Sequence, residues 1–221
     1  MTSLARAEHK NGILAVFLRA TLAHLFLALF RTRVVGKENV PAQGAILAGN
    51  HLSYMDPVLL WCASPRRTFF MAKRELWGSK LLGWLLDHLW GFPVSRGEPD
   101  RAAITTATDL LKAGELVGMF PEGSRAAGDG QELGQAHGGV AFIALRAGAP
   151  VVPVAFVGTE KVWPRGQRYP RLRRVSIYLG KPIDTAAVCP ECGRKERVQA
   201  LTQVIMDGIA EVLEQARKES A

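Results

Sequence analysis

Ala45-Ile46-Leu47-Ala48-Gly49-Asn50-His51-Leu52-Ser53-Tyr54-Met55-Asp56-Pro57 is the stretch that decides the fold. Its first four residues form an apolar run of strand length that ends at Gly49. His51 follows directly, at the C-terminal end of that strand, where open α/β sheets place their ligands. Asp56-Pro57 reads as the N-cap and first residue of a helix. The unit is strand, short loop, helix, with an imidazole and a carboxylate five residues apart in the loop.

The same grammar repeats outward. Arg33-Val34-Val35-Gly36 is a short edge strand, preceded by a helix over residues 13–30. Arg67 to Ala72 is a buried strand, Ser79 to Leu89 a helix rich in Leu and Trp, and Gly91 to Arg96 a short strand ending in a cation. Asp100 to Lys112 is helical, with Ile104, Ala107, Leu110 and Leu111 on one face and Gly114 at its stop. Leu116 to Phe120 is the next strand, residues 126–138 a loop, and Gly139 to Ala147 a helix. Val151 to Val157 is a buried strand in which Pro153 marks a bulge or an edge position. Val175 to Leu179 is another strand, and residues 194–217 form an amphipathic helix. Strands and helices alternate with short connections, so the fold class is α/β.

The chain has 221 residues and a net charge of +8, which favours an anionic partner such as a phospholipid surface or a phosphorylated substrate. Aromatic and basic residues do not alternate as in nucleic-acid modules, so nucleic acid ranks below lipid. Cys189 and Cys192 form one CxxC with no further ligands nearby, which reads as a loop with two thiols rather than a zinc site. Three cysteines without a disulfide framework fit a reducing compartment. Residues 13–30 approach the length of a spanning helix, but Arg19 and His24 interrupt them. A central charge costs about 2.5–3.5 kcal/mol on insertion, so a helix lying in the interface is the better reading.

Chemistry gathers at strand ends. A carboxylate held against one imidazole nitrogen fixes the tautomer and frees the other nitrogen to take a proton. Asp56 is expected to serve twice, one oxygen on the helix backbone and the other on His51. No serine or cysteine elbow accompanies the pair, so the nucleophile it activates belongs to a substrate. Phe120-Pro121-Glu122-Gly123-Ser124-Arg125 occupies the same kind of place: Gly123 permits close approach to the backbone, and Arg125 offers a planar fork suited to phosphate. Arg96 and Lys73 are further cations just past strands. A basic run holds Lys161, Arg165, Arg168, Arg171, Arg173, Arg174 and Lys181, with no acid between Glu160 and Asp184.

Four blocks in order, Asn50-His51-x4-Asp56, Gly91 to Arg96, Phe120 to Arg125 and Val152-Pro153-Val154, resemble the PlsC-like lysophosphatidic acid acyltransferase family over roughly residues 33–182. The first and third blocks carry the specificity. The resemblance implies an α/β domain around a mostly parallel sheet (residues 33–221) with an N-terminal membrane-docking helix (residues 1–32), at the cytoplasmic face of the cell membrane. It implies that His51 is the general base and Asp56 its orienter. Arg96, Glu122, Gly123 and Arg125, with Lys73, would bind the acceptor's phosphate and glycerol, and Val152, Pro153 and Val154 would border the acyl donor. The donor would be acyl-CoA or acyl-carrier protein, with no metal or resident cofactor. In one departure, His137 stands near the place where relatives often carry a Lys, which weakens the local cation or leaves it to be supplied elsewhere.

The expected reaction is direct transfer of an acyl chain to the free hydroxyl of 1-acylglycerol 3-phosphate, giving phosphatidic acid without an acyl-enzyme. The alternatives are a different lipid or glycolipid alcohol as acceptor, a non-catalytic lipid-binding relative, and thioester hydrolysis.

Overall fold

The protein, as a computed structural model, is described over residues 13–95, 100–125, 132–164 and 166–220. Seven strands build one sheet: β1 (Arg33–Val35), β2 (Ala45–Gly49), β3 (Thr68–Lys73), β4 (Gly91–Val94), β5 (Leu116–Met119), β6 (Val151–Val157) and β7 (Ser176–Leu179). Among the described residues, six α-helices accompany them: α1 (Ile13–Leu29), α2 (Asp56–Ala63), α3 (Lys80–His88), α4 (Arg101–Lys112), α5 (Gly139–Ala147) and α6 (Arg194–Ser220). The spatial order of the sheet is β1-β7-β6-β2-β5-β3-β4. The five strands from β6 to β4 are parallel, β7 joins β6 antiparallel, and β1 runs parallel to β7. The α/β class and the mostly parallel sheet therefore stand as expected.

Central strands are apolar throughout because both faces of the sheet are covered. Alternate residues of β2 divide between two cores. Ile46 and Ala48 pack with Leu110, Ile143, Leu201 and Ile205 from α4, α5 and α6. Ala45 and Leu47 pack with Leu59 and Leu60 of α2 and with Ala23 of α1 on the other face. Ala23, Phe26, Leu27 and Phe30 recur at helical spacing and seat the C-terminal half of α1 on the domain. Leu25 and Leu29 point out to solvent. Among the described residues, no helix is long and apolar enough to cross a membrane.

Two expectations shift. Pro153 lies in an interior strand rather than at an edge, and the bulge is in its neighbour. Val154 pairs with Leu179 and Val151 with Ile183, so three steps along β6 meet four along the opposing chain. The extra residue falls where Pro153 has no N–H to donate, and its carbonyl still accepts from Gly180 at 2.8 Å. Cys189 and Cys192 do not stand as two free thiols: they are joined as a disulfide, with Cα atoms 5.3 Å apart.

Candidate active site

Parallel strands deliver their C-terminal ends to one side of the sheet, and that is where the chemical residues collect. Past the end of β2, the Asn50 side chain imitates a peptide group. Its carbonyl accepts from the Phe156 N–H at 2.8 Å and its amide donates to the Phe156 carbonyl at 3.2 Å. The ladder between β2 and β6 thus continues for one residue on a side chain, and His51 leaves the sheet at a defined point.

His51 Nδ1 lies 2.8 Å from Asp56 Oδ2. The same oxygen accepts from the Leu52 and Ser53 N–H groups, each at 2.7 Å. Asp56 is therefore not the N-cap. It is the first helical residue, Met55 holds the cap position with no side-chain bond, and Pro57 follows inside the first turn. The carboxylate reaches back into the loop, and one oxygen serves both the loop amides and the imidazole. Its other oxygen, Oδ1, is buried without a hydrogen-bond partner among the described residues. The Asp56 side chain is fully buried while 12% of the His51 side chain is exposed, so the imidazole is accessible and its orienting carboxylate is sealed.

The Phe120-to-Arg125 block closes over this loop at three points. The Phe120 ring stacks on the His51 ring with centroids 4.2 Å apart. Glu122 Oε1 accepts from the His51 N–H at 3.1 Å, and its Oε2 accepts from the Gly134 N–H at 2.9 Å. The Arg125 guanidinium lies over the Tyr54 ring, 3.5 Å from its centroid. Glu122 is only 5% exposed. Burial pushes its carboxyl up from the ordinary value, against the pull of the His51 and Gly134 amides. Gly123 adopts φ +65°, and His137 Cδ2 stands 3.0 Å from where a Cβ would project, so the turn fits glycine and is roofed by His137. The His137 N–H donates to the Pro121 carbonyl at 2.8 Å.

Other expected site residues fall elsewhere. Lys73 ends β3 on the same side of the sheet as His51, but it is exposed and its ammonium lies 3.2 Å from Glu75. Arg96 lies outside the described residues, but the cluster beside it is ordered by Asp100. Asp100 accepts from the Ser95 N–H at 2.9 Å, the Ala103 N–H at 3.0 Å and Arg74 at 3.2 Å. Val152, Pro153 and Val154 are buried inside β6 and do not reach the surface. Of the basic run, Lys161, Arg168, Arg171, Arg173 and Arg174 are exposed between β6 and β7, at the same end as His51. Arg165 lies outside the described residues, and Lys181 sits at the opposite end of the sheet. A groove of about 950 Å³ at that opposite end, lined by Phe142, Arg146, Pro150 and Arg194, is remote from the imidazole.

Tyr54 and Trp163 join the site without a motif to mark them in the sequence. Residue type alone does not mark Trp163: Tyr169 in the same basic segment is exposed, whereas Trp163 is half-buried. Its carbonyl accepts from Ser53 Oγ at 3.0 Å, and its ring meets Tyr54 edge-on at 5.3 Å.

Residues 31–157 match the acyltransferase family profile. The chain is 32% identical over 182 residues to the 1-acyl-sn-glycerol-3-phosphate acyltransferase of Bacillus subtilis, covering 81% of this chain and 87% of the relative. A Streptococcus pneumoniae protein of the same name is 32% identical over 146 residues, 65% of this chain and 51% of its own length. The lyso-ornithine lipid O-acyltransferase of Pseudomonas aeruginosa is 35% identical over 136 residues, 61% of this chain and 50% of its own. Among solved structures, the crystal structure of the 1-acyl-sn-glycerophosphate acyltransferase PlsC from Thermotoga maritima superposes with a TM-score of 0.70 at 26% identity, covering 89% of this chain and 79% of that one. The profile spans most of the sheet, both interlocking blocks lie within it, and the Bacillus alignment extends over 81% of the chain: the chain belongs to the PlsC-like acyltransferase family and is an acyltransferase.

Proposed function

We propose that the protein transfers an acyl chain from acyl-CoA or acyl-carrier protein to the free hydroxyl of 1-acylglycerol 3-phosphate, giving phosphatidic acid, with His51 as general base. The observation that carries this reading is the 2.8 Å contact of His51 Nδ1 with the buried Asp56, made beside an arginine seated on the same loop. Asp56 has only acceptors to offer, so Nδ1 carries the proton and Nε2 carries the lone pair. Nε2 takes the acceptor's hydroxyl proton as the oxygen attacks the thioester carbonyl. The tetrahedral species then collapses, breaking the C–S bond. The imidazolium returns the proton to the departing sulfur, so no acyl-enzyme forms. Asp56 stabilises the transient imidazolium, and the Leu52 and Ser53 amides keep Asp56 fixed while the charge comes and goes.

Arg125 supplies the planar fork for the acceptor's phosphate, and Glu122 holds the His51 backbone rather than the substrate. The protein works at the cytoplasmic face of the cell membrane as a peripheral enzyme, meeting its lipid acceptor there. His51→Ala should lower transfer by about 10²–10⁴-fold with an unchanged thermal midpoint. Full activity in that variant would end the general-base reading. An acceptor panel holding 1-acylglycerol 3-phosphate and lyso-ornithine lipid decides the acceptor, and exclusive use of the latter would overturn 1-acylglycerol 3-phosphate as the substrate.

A further inference from the structure

Tyr54 is 51% exposed, yet its ring is held on two sides. The Arg125 guanidinium lies 3.5 Å from the ring centroid, and Trp163 meets the ring edge-on at 5.3 Å and 62°. Trp163 is itself fixed. Its carbonyl accepts from Ser53 Oγ at 3.0 Å and the Tyr54 N–H at 3.4 Å, and its indole N–H donates to the Gln167 carbonyl at 3.0 Å. Arg125 forms no ion pair among the described residues, and its buried Nη1 has no acceptor there. Other partly buried arginines of the protein are anchored by oxygen: Arg67 by Glu115, and Arg66 by the carbonyls of Pro41, Gln43 and Gly114.

We propose that Tyr54 is the positioning residue for Arg125: its π face holds the guanidinium plane in place without neutralising it, keeping the full positive charge for the acceptor's phosphate. This rests on the reading of Arg125 as the phosphate ligand. A carboxylate in the same place would orient the arginine equally well, but it would repel the incoming phosphate and compete for the same donors. An aromatic face attracts a cation through its quadrupole and carries no net charge. Tyr54 also belongs to the loop whose amides close on Asp56. The spacing between the base and the phosphate cation is therefore set within one short segment, three residues from His51 to Tyr54.

The test compares Tyr54→Leu, Tyr54→Phe, Arg125→Ala and the Tyr54→Leu/Arg125→Ala double variant, with acceptor KM, donor KM and kcat measured separately and thermal midpoints recorded. Tyr54→Leu should raise the acceptor KM by about 3–30-fold, the range a cation–π contact supports, with donor KM and kcat little changed. Tyr54→Phe keeps the ring and should stay near the wild-type KM. Arg125→Ala should raise the acceptor KM more, and adding Tyr54→Leu to it should change little further. An unchanged acceptor KM in Tyr54→Leu beside a raised one in Arg125→Ala overturns the proposal. So does a Tyr54→Phe variant as impaired as Tyr54→Leu, or a donor KM that rises in step. If Arg125→Ala itself leaves the acceptor KM unchanged, the phosphate assignment fails first. Should Tyr54→Leu lose its fold, Tyr54→Met carries the same comparison.

Discussion

One oxygen of Asp56 accepts three hydrogen bonds while its partner oxygen accepts none among the described residues. A second buried carboxylate, Glu122, performs the complementary task from the other block, holding the His51 and Gly134 amides. Because burial raises the Glu122 pKa, its ionised form is the one disfavoured in the folded protein. A folded pKa above the unfolded one means that the native state binds more protons in the window between them, so stability falls as pH rises through it. Glu122→Gln does not titrate. The stability of the wild type relative to this variant, from urea unfolding at a series of pH values, should therefore decline as pH climbs past 4.5 through the raised value and then level off. A flat difference between about pH 4 and pH 8 would remove the shift. His51, Asp56 and Arg125 were legible as residue types at strand ends. The double duty of a single Asp56 oxygen was not, because a carboxylate before Pro57 fits a helix cap equally well and only the backbone path of residues 51–55 decides between them.

Elements were legible to within three residues, the largest miss being the end of α6 at Ser220 rather than residue 217, since buried strands and amphipathic helices announce themselves by apolar period. What sequence could not supply was the register that puts Pro153 inside the sheet, because that depends on an extra residue in a neighbouring chain segment. Helix ends follow local chemistry more faithfully. Asp100 is the N-cap of α4, accepting from the Ala103 N–H, and it also ties down Ser95 after β4. These backbone bonds hold its carboxyl down to about 2, with Arg74 adding to the effect. A depressed pKa contributes stability that is present above the unfolded value of 3.8 and is lost as pH falls through about 2. Asp100→Ala should cost about 1 kcal/mol at neutral pH. Asp100→Asn should cost less, because its side-chain oxygen can still cap, while losing the acid-side dependence. Thermal unfolding of the three proteins at pH 7 and in acid checks both, and equal losses for Ala and Asn would place the effect outside the cap.

At the scale of the whole molecule, strand direction decides which cations share a surface. β1 begins at Arg33 opposite Ser176, which pairs with Val157 at the C-terminal end of β6, so α1 and the β6–β7 connection meet at the His51 end of the sheet. Exposed Leu25 and Leu29 arrive from α1, and exposed Tyr169 and Leu172 from the connection, among Arg168, Arg171, Arg173 and Arg174. Lys181 belongs to the same basic run in sequence, but β7 carries it to the far end. Docking of this end on an anionic bilayer would bring the imidazole to its lipid acceptor, and the two ends provide an internal control. Each cation near such a surface contributes about 1 kcal/mol, or roughly fivefold in partitioning. Replacing Arg168, Arg171, Arg173 and Arg174 with Ala should therefore lower co-sedimentation with phosphatidylglycerol-containing vesicles by about 10²–10³-fold at low salt, whereas Lys181→Ala should leave it nearly unchanged. Raising the salt should shrink the gap by screening, and Leu172→Ser should weaken the part of binding that survives at high salt. If Lys181→Ala costs as much per charge removed as the fourfold variant does, net charge alone is at work and the docking face lies elsewhere.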